Sequence, residues 1–429
     1  MKRSWHSAAI LFAASVQFLA AQNRTIGLFV HDEKRASPGY TLMAPKHYTR
    51  TYLIDNYGQV VNTWDSKYEP GQSAHLLPNG HLLRAAYMQV PGGGTGGGEG
   101  GRVEEYEWEG NLIWEFDYAT QAYALHHDIK PLPNGNVIAL MVERKTREEA
   151  LAAGFKLDLL QDNYLLPDAV VEIEPVRPNG GRIVWEWHVW DHLVQNADPS
   201  KANYGTPSAH PELVDSNASA KKIPAFWNHM NSIDYNPSLD QIILSVRGNS
   251  EAWVIDHSTT KAEAAGHTGG KSGKGGDLLY RWGNPRMYGT GGATDQMLFE
   301  QHDVQWIEAG RPGAGNLLAF NNGLARPGGQ ASSVDEWVPP MDSSGKYTIA
   351  AGSAYGPKQL AWTFVGTYGT QLFEEAISGA YRLPNGHVGL LRHTRCVSGG
   401  HSGEGDCLAV RQSGSEARTA VAGAIGDQG

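Results

Sequence analysis

Cysteine is scarce in this chain. Only Cys396 and Cys407 occur among 429 residues, with a Gly-rich segment between them. A catalytic thiol is disfavoured, because a reactive cysteine needs surroundings that lower its pKa and the sequence shows none around either residue. In an exported protein the pair predicts one disulfide, worth about 2 to 3 kcal/mol in the chain-entropy model. Two unpaired thiols are the alternative.

Long apolar runs are also missing. The segment 8–20 is apolar and follows Lys2 and Arg3, but it is shorter than the roughly 20 residues that span a bilayer. The small residues Ala20 and Ala21 end it, as in a cleavable secretion signal. We therefore predict a signal peptide over residues 1–21, a secreted or periplasmic location and no membrane insertion. An uncleaved membrane anchor is the alternative.

Positive charge is in deficit. The chain has 35 Lys and Arg against 45 Asp and Glu, a net charge of −10. This balance argues against nucleic acid and against an anionic membrane surface as partners. A small anionic substrate remains compatible, because a local group of His and Arg can oppose the overall sign.

Glycine and aromatic residues are abundant instead. The chain has 52 Gly, 22 Pro, 13 Trp and 18 Tyr, which is typical of many short strands joined by tight turns and excludes a disordered chain. Because propellers and barrels often exceed the usual domain size, 429 residues fit one large all-β domain.

One pattern recurs along the chain: an apolar run, a turn rich in Pro, Asn or Gly, and a second apolar run. It predicts five antiparallel hairpins, at residues 75–85, 127–142, 229–247, 302–322 and 379–393.

A second recurring pattern, apolar and aromatic, lies between the hairpins and predicts outer strands. It covers residues 58–65, 110–117, 181–190, 276–285 and 358–366. A hairpin with outer strands forms a four-stranded antiparallel sheet, the blade of a β-propeller. With the leading segment from Tyr40, the pattern predicts six blades over residues 40–411, the chain ends sharing one. Residues 22–39 are then an N-terminal extension and 412–429 a disordered tail, and the insertion 146–170 permits a short helix.

Histidines stand near the start of four predicted inner strands. They are His75, His127, His229 and His302. Because inner strands line a propeller's central channel, their equivalent ends converge on one face. The antiparallel return strands bring Arg247 back beside His229 and place Asn322 near the same rim.

This group favours transfer of an oxyanion. Neutral imidazole can act as a nucleophile or a metal ligand, and guanidinium suits the oxygens of sulfate, phosphate or carboxylate. A metal site would not favour a fixed cation nearby, whereas a transferring oxyanion needs one. A multi-His metalloenzyme and a non-catalytic binding propeller remain alternatives.

Three segments resemble the bacterial aryl-sulfate sulfotransferases. They are HHDIKPLPNGN at His126, NHMNSIDYNPSLDQIILSVR around His229, and QHDVQWIEAGRPGAGNLLAFNNG around His302. The second is the most specific, because it preserves the interval from His229 and Asn231 to Arg247. The resemblance extends from about residue 38 to 394.

The resemblance implies a six-bladed propeller and ping-pong transfer of a sulfuryl group from an aryl sulfate donor to a phenolic acceptor. His302 would attack sulfur and become sulfohistidine, while His127, His229, Asn231 and Arg247 would hold the sulfuryl oxygens and handle protons. His75 and Asn322 are further candidates for substrate binding. No cofactor, metal or nucleotide sulfate donor is expected.

Overall fold

The computed structural model describes residues 28, 31–89, 98–218, 222–342, 344–365, 372–395 and 406–413, the last two ranges by backbone alone from residue 392 onward. The predicted signal peptide 1–21, the tail 414–429 and Cys396 lie outside these residues, and the side chain of Cys407 is not described. No helix in the described part of the chain has the length and apolar character needed to cross a membrane.

The chain forms an all-β propeller of antiparallel sheets, most of them four-stranded. The first two sheets are β1 (Tyr40–Met43), β2 (Arg50–Asp55) and β3 (Val60–Asp65), then β4 (Pro70–Leu76), β5 (Leu82–Tyr87), β6 (Gly101–Tyr106) and β7 (Leu112–Asp117). The third contains β8 (Tyr123–Pro131), β9 (Val137–Glu143), β12 (Asp168–Pro175) and β13 (Gly181–His188).

The remaining large sheets follow in chain order. The fourth contains β16 (Met230–Asn236), β17 (Gln241–Val246), β18 (Glu251–Asp256) and β19 (Tyr280–Trp282). The fifth contains β20 (His302–Trp306), β21 (Leu317–Asn321), β22 (Ser333–Trp337) and β23 (Trp362–Phe364), and the last contains β24 (Gly379–Arg382), β25 (Val388–Arg395) and β26 (Asp406–Ser413).

Short elements connect these sheets. The strand pairs are β10 (Lys145–Thr146) with β11 (Tyr164–Leu165), and β14 (Leu193–Val194) with β15 (Val214–Asp215). The helices are α1 (Arg147–Ala152) and α2 (Lys261–Ala264), with 3-10 turns at Val189–His192, Pro207–Ala209, Arg247–Asn249, Pro285–Tyr288 and Ala293–Asp295. Helix α1 confirms the short helix predicted in the insertion, and a capping box between Thr146 and Glu149 begins it.

The expectation of six four-stranded blades is wrong. Within the described residues, the sheets β1–β3 and β24–β26 have only three strands, and neither chain end adds a strand to the other's sheet. The reason is local. The leading segment turns back at Asp55, whose carboxylate accepts the N–H groups of Tyr57 and Gln59, and pairs with itself instead.

The five predicted hairpins are confirmed as the inner strand pairs β4–β5, β8–β9, β16–β17, β20–β21 and β24–β25. Three of them use the same Pro-Asn-Gly turn. The glycines Gly80, Gly135 and Gly386 have φ of 85° to 86°, a left-handed conformation that costs little without a Cβ. The turn residue therefore sets the hairpin geometry.

The predicted outer strands are confirmed as well, and their tryptophans join neighbouring sheets. Trp64, Trp114 and Trp187 are buried, and their indole N–H groups donate to backbone carbonyls of Glu107, Gly180 and Gly276, which belong to the following sheet or to the segment leading to it. Trp187, in the aromatic run 184–190, therefore packs in the core.

Candidate active site

Side chains of the inner strands form hydrogen bonds to the backbone of neighbouring sheets. Asp128 on β8 accepts the backbone N–H of Ile233 on β16 at 2.9 Å. Ser232 on β16 accepts the N–H of Val304 on β20 at 2.9 Å. The inner strands of adjacent sheets are not paired through backbone hydrogen bonds. These side-chain bonds therefore fix how far each inner strand is displaced along the channel relative to its neighbour. His127, His229 and His302 each lie within four residues of these bonded positions, so the three histidines lie at a similar height.

A local irregularity turns the histidines toward one another. The pairing of β8, β16 and β20 with their partners shifts near the histidine in each case, and both His127 and His229 have φ of 49°. Bulges re-aim side chains and are frequent beside active sites. His127 and His229 consequently have ring centroids 5.1 Å apart.

These two imidazoles are neutral at physiological pH. Burial, together with the nearby Arg247 guanidinium, lowers the pKa of His229 to about 3. Burial also holds the pKa of His127 well below its ordinary value, with smaller effects from His126, His229, His302 and Arg247. His302 and Arg247 are therefore near enough to both rings to influence their protonation.

His302 is held in a defined orientation. Its Nδ1 lies 2.8 Å from Oδ1 of Asn322. The amide nitrogen of Asn322 donates to the carbonyl oxygens of Glu374 at 3.0 Å and Ile377 at 3.1 Å, so its oxygen must face His302. An amide oxygen only accepts, and His302 therefore carries its proton on Nδ1. Nε2 keeps the lone pair.

The backbone at Ile377 faces that lone pair. The N–H of Ile377 donates to Nε2 of His302 at 3.2 Å. Ile377 and Ser378 have φ of 56° and 77°, a conformation that is strained for a β-branched residue. The strained backbone at this point aims the N–H of Ile377 at Nε2 of His302.

Arg247 follows β17 directly, as the return-strand argument predicted. Its backbone N–H donates to the carbonyl of His229 at 3.2 Å. Its guanidinium forms an ion pair with Glu300, which lies two residues before His302. The cation therefore lies between two of the histidines, with a carboxylate beside it that the sequence did not indicate.

Asn231 is buried beside the same strands. Its amide nitrogen donates to the carbonyl oxygen of Gln301 at 2.8 Å, and its Oδ1 is buried without a hydrogen-bond partner among the described residues. An unpaired buried acceptor is costly, and a hydroxyl donor at this point would satisfy it.

His75 does not join the group. Its Nε2 lies 2.7 Å from the carbonyl oxygen of Ile129, two residues beyond His127 and about 6 to 7 Å further along the strand. The turns explain the offset, since His127 precedes Pro133 by six residues and His75 precedes Pro78 by only three. The equivalent of His127 is Gln72, so the predicted substrate-binding role of His75 loses its basis.

His126 and Asp168 were missed by sequence reasoning. Nε2 of His126 lies 3.1 Å from Oδ1 of Asp168, and the Nδ1 atoms of His126 and His127 are 2.7 Å apart. With a proton on Nε2 facing the carboxylate, Nδ1 of His126 accepts from Nδ1 of His127. Nε2 of His127 is then its basic atom. The adjacent pair of histidines was the available signal.

Comparison with known protein families gives one match. The model of the arylsulfotransferase (ASST) family matches residues 27–390. No curated protein matched.

Among solved structures, similarity is weak. A protein of unknown function from Bacteroides caccae has 10% identity and a TM-score of 0.44, covering 88% of this chain and 90% of that one. The periplasmic gluconolactonase of Pseudomonas aeruginosa has 12% identity and a TM-score of 0.39, covering 89% and 96%. Neither similarity is high enough to indicate a function for this chain. The family match spans most of the chain and includes every residue of the histidine group, and the chain thus belongs to the arylsulfotransferase (ASST) family.

Proposed function

We propose that this protein transfers a sulfuryl group from an aryl sulfate to a phenolic acceptor by a ping-pong reaction through His302. The orientation of His302 by Asn322 carries the proposal. It leaves a neutral imidazole with its lone pair on Nε2, the form that a nucleophile requires.

In the first half-reaction, Nε2 of His302 attacks sulfur, an N–S bond forms, and the S–O bond to the aryl group breaks to release the phenolate. Nδ1 keeps its proton against Asn322, so sulfohistidine carries a positive ring that is a good leaving group. The N–H of Ile377 passes from Nε2 to a sulfuryl oxygen. Arg247 stabilises the developing charge on the other oxygens.

In the second half-reaction, the acceptor phenol loses its proton to Nε2 of His127. The phenol oxygen attacks sulfur and the N–S bond breaks, which restores His302. Because its pKa lies well below the ordinary histidine value, His127 is unprotonated and can accept a proton. It is a weak base, so the proton moves as the O–S bond forms and then leaves the ring to solvent. The neutral state of His127 and His229 leaves Arg247 as the cation of the site.

The test is a rapid quench with an aryl sulfate and no acceptor. We expect a sulfuryl adduct on the peptide containing His302 and none in His302→Gln. His75→Gln is the matched control, since this inner-strand histidine contacts the hydroxyl of Ser73 and the carbonyl of Ile129, and the variant should form the adduct normally. An adduct on His127 or His229, or turnover without any adduct, would contradict the mechanism.

The same proposal includes export. A signal peptide over residues 1–21 would place the enzyme in the periplasm or outside the cell, where Cys396 and Cys407 can form a disulfide. N-terminal sequencing of the mature protein tests cleavage after Ala21.

A further inference from the structure

A second group of ionisable side chains lies away from the histidine group, at the outer edge between the third and fourth sheets. His192 ends the 3-10 turn after β13, His267 lies in the Gly-rich loop after α2, and Asp277 precedes β19. One ligand atom from each lies within 4.8 Å of the others. Oδ1 of Asp277 is 3.0 Å from Nδ1 of His192 and 2.7 Å from Nδ1 of His267.

The hydrogen bonds of His192 require a cation at this point. Its Nε2 lies 2.8 Å from the carbonyl oxygen of Ala264, which can only accept, so Nε2 donates. A neutral ring then has its lone pair on Nδ1, facing a carboxylate oxygen that also only accepts. A proton or a metal ion must lie between them. Metal-binding histidines usually donate their other N–H to a carbonyl in this way.

The buried part of the group is rigid. The indole of Trp187 stacks on the ring of His192 at 5.6 Å, with 8° between the planes. A Cβ on Gly276 would lie 2.6 Å from Nε2 of His192, so the Gly-rich loop packs directly on the ring. His192 and Asp277 are therefore preorganised, as buried metal ligands must be.

The other side of the group is open. The His267 side chain is 60% exposed and lines a cavity of about 390 Å³ together with Trp190, Tyr204 and His210. His267 therefore connects the buried pair to this cavity. The arrangement has two fixed buried ligands and one exposed ligand.

We propose that His192, His267 and Asp277 bind one Zn²⁺, with water or a small anion as the fourth ligand. Two imidazoles and a carboxylate with an open position are a usual zinc set. Bonds of about 2.0 to 2.1 Å in a tetrahedron separate ligand atoms by about 3.3 Å. Asp277 therefore retreats by a few tenths of an ångström when zinc enters.

Zinc titration of the chelator-treated, metal-free full chain tests this site. Calorimetry should show one equivalent bound by wild type, and Co²⁺ should give the visible bands of a tetrahedral site. His267→Ala should weaken binding at least about tenfold. His210→Ala removes another histidine of the same cavity and should bind as wild type does.

The readout is independent of sulfotransfer. Because His267 is exposed, its loss should leave the melting temperature of the metal-free protein unchanged, so weak binding cannot be ascribed to unfolding. Absence of zinc uptake would show that His192 and Asp277 share a proton only. Equal uptake by His267→Ala would place the zinc elsewhere. Either result overturns the proposal.

Discussion

Arg247 is the residue whose role the structure makes most specific. Its guanidinium contacts Glu300 and lowers the pKa of His229, so it is held at the site while the substrate is absent. We expect Arg247→Ala to lower turnover by about 10² to 10³, the effect of removing one preorganised oxyanion donor. Arg247→Lys should retain part of the turnover that Arg247→Ala loses, because lysine keeps the charge but cannot form the two-pronged hydrogen bond.

Glu300→Gln is the matched variant for Arg247. If Arg247 serves the sulfuryl group, releasing it from Glu300 should leave turnover near normal. If the ion pair only joins the two sheets, both variants should melt earlier and transfer at a normal rate per folded molecule. Turnover and melting temperature measured on the same preparations separate these outcomes.

Asn322 is expected to act as a positioning residue for His302. In Asn322→Ala, Nδ1 of His302 loses its acceptor and the proton can move to Nε2, which removes the nucleophilic lone pair. Turnover should fall by about tenfold or more, the worth of one such hydrogen bond, with slower adduct formation in the quench. Ser332→Ala is the control, since Ser332 bonds the backbone of Asn322 and Glu374 without contacting His302. Equal losses in both variants would indicate a packing effect.

At the scale of elements, Gly98, three residues before β6, supports the site because it has no side chain. A Cβ on Gly98 would overlap Nδ1 and Cε1 of His127, whose ring is already held by His126. Gly98→Ala should displace this ring and lower the rate of the second half-reaction more than the rate of adduct formation. Gly292→Ala, where a Cβ meets only ordinary contact, should be neutral. Wild-type acceptor kinetics in Gly98→Ala would show that the backbone at position 98 moves and the His127 ring stays in place.

Repeats explain which parts of these elements were predictable. The Pro-Asn-Gly turns and the aromatic outer strands follow from local backbone preferences, and each hairpin was correctly located. The position of His75 was wrong because distance to the turn sets the register, and one strand residue is enough to change the neighbours of a side chain. His126, Asp168 and Glu300 could not be assigned, because their partners lie on separate strands: Asp168 faces His126 from β12, and Arg247 follows β17 of the preceding sheet.

For the whole molecule, buried neutral histidine makes stability depend on pH. His229 has its folded pKa lowered to about 3, so below about 6.5 the unfolded chain takes up a proton that the folded one refuses. The contribution of neutral His229 to folding stability is complete above that pH and is lost as the pH falls toward 3. Between pH 7 and pH 5, the free energy of unfolding of the wild type should therefore fall by about 2 kcal/mol more than that of His229→Gln.

Urea unfolding of both proteins at the two pH values measures this difference. Burial raises the pKa of Asp128 to about 6 and of Asp303 to about 7, which acts with the opposite sign. These carboxyls are present in both proteins and cancel in the comparison. Parallel pH dependence in the two proteins would contradict a neutral buried His229.

Chelation should separate the two proposed sites. The proposed transfer uses His302, His127 and Arg247 without a metal, so treatment with a chelator should leave turnover unchanged while it removes zinc from His192, His267 and Asp277. Loss of turnover restored by one divalent ion would show that a metal serves the reaction. Melting temperature is recorded in parallel, because an ion can also stabilise the fold.

The amino-acid sequence by itself determined the all-β class, the hairpins, the outer strands and the convergence of His127, His229, His302 and Arg247, because these depend on turn chemistry, alternation and strand direction along one stretch of chain. Only the tertiary structure decided the strand number of the terminal sheets, the orientation of His302 by Asn322, the pairing of Arg247 with Glu300 and the grouping of His192 with Asp277. Each of these joins residues from separate segments, and their distances depend on how the segments pack together. That packing is set by the whole core and by no local pattern.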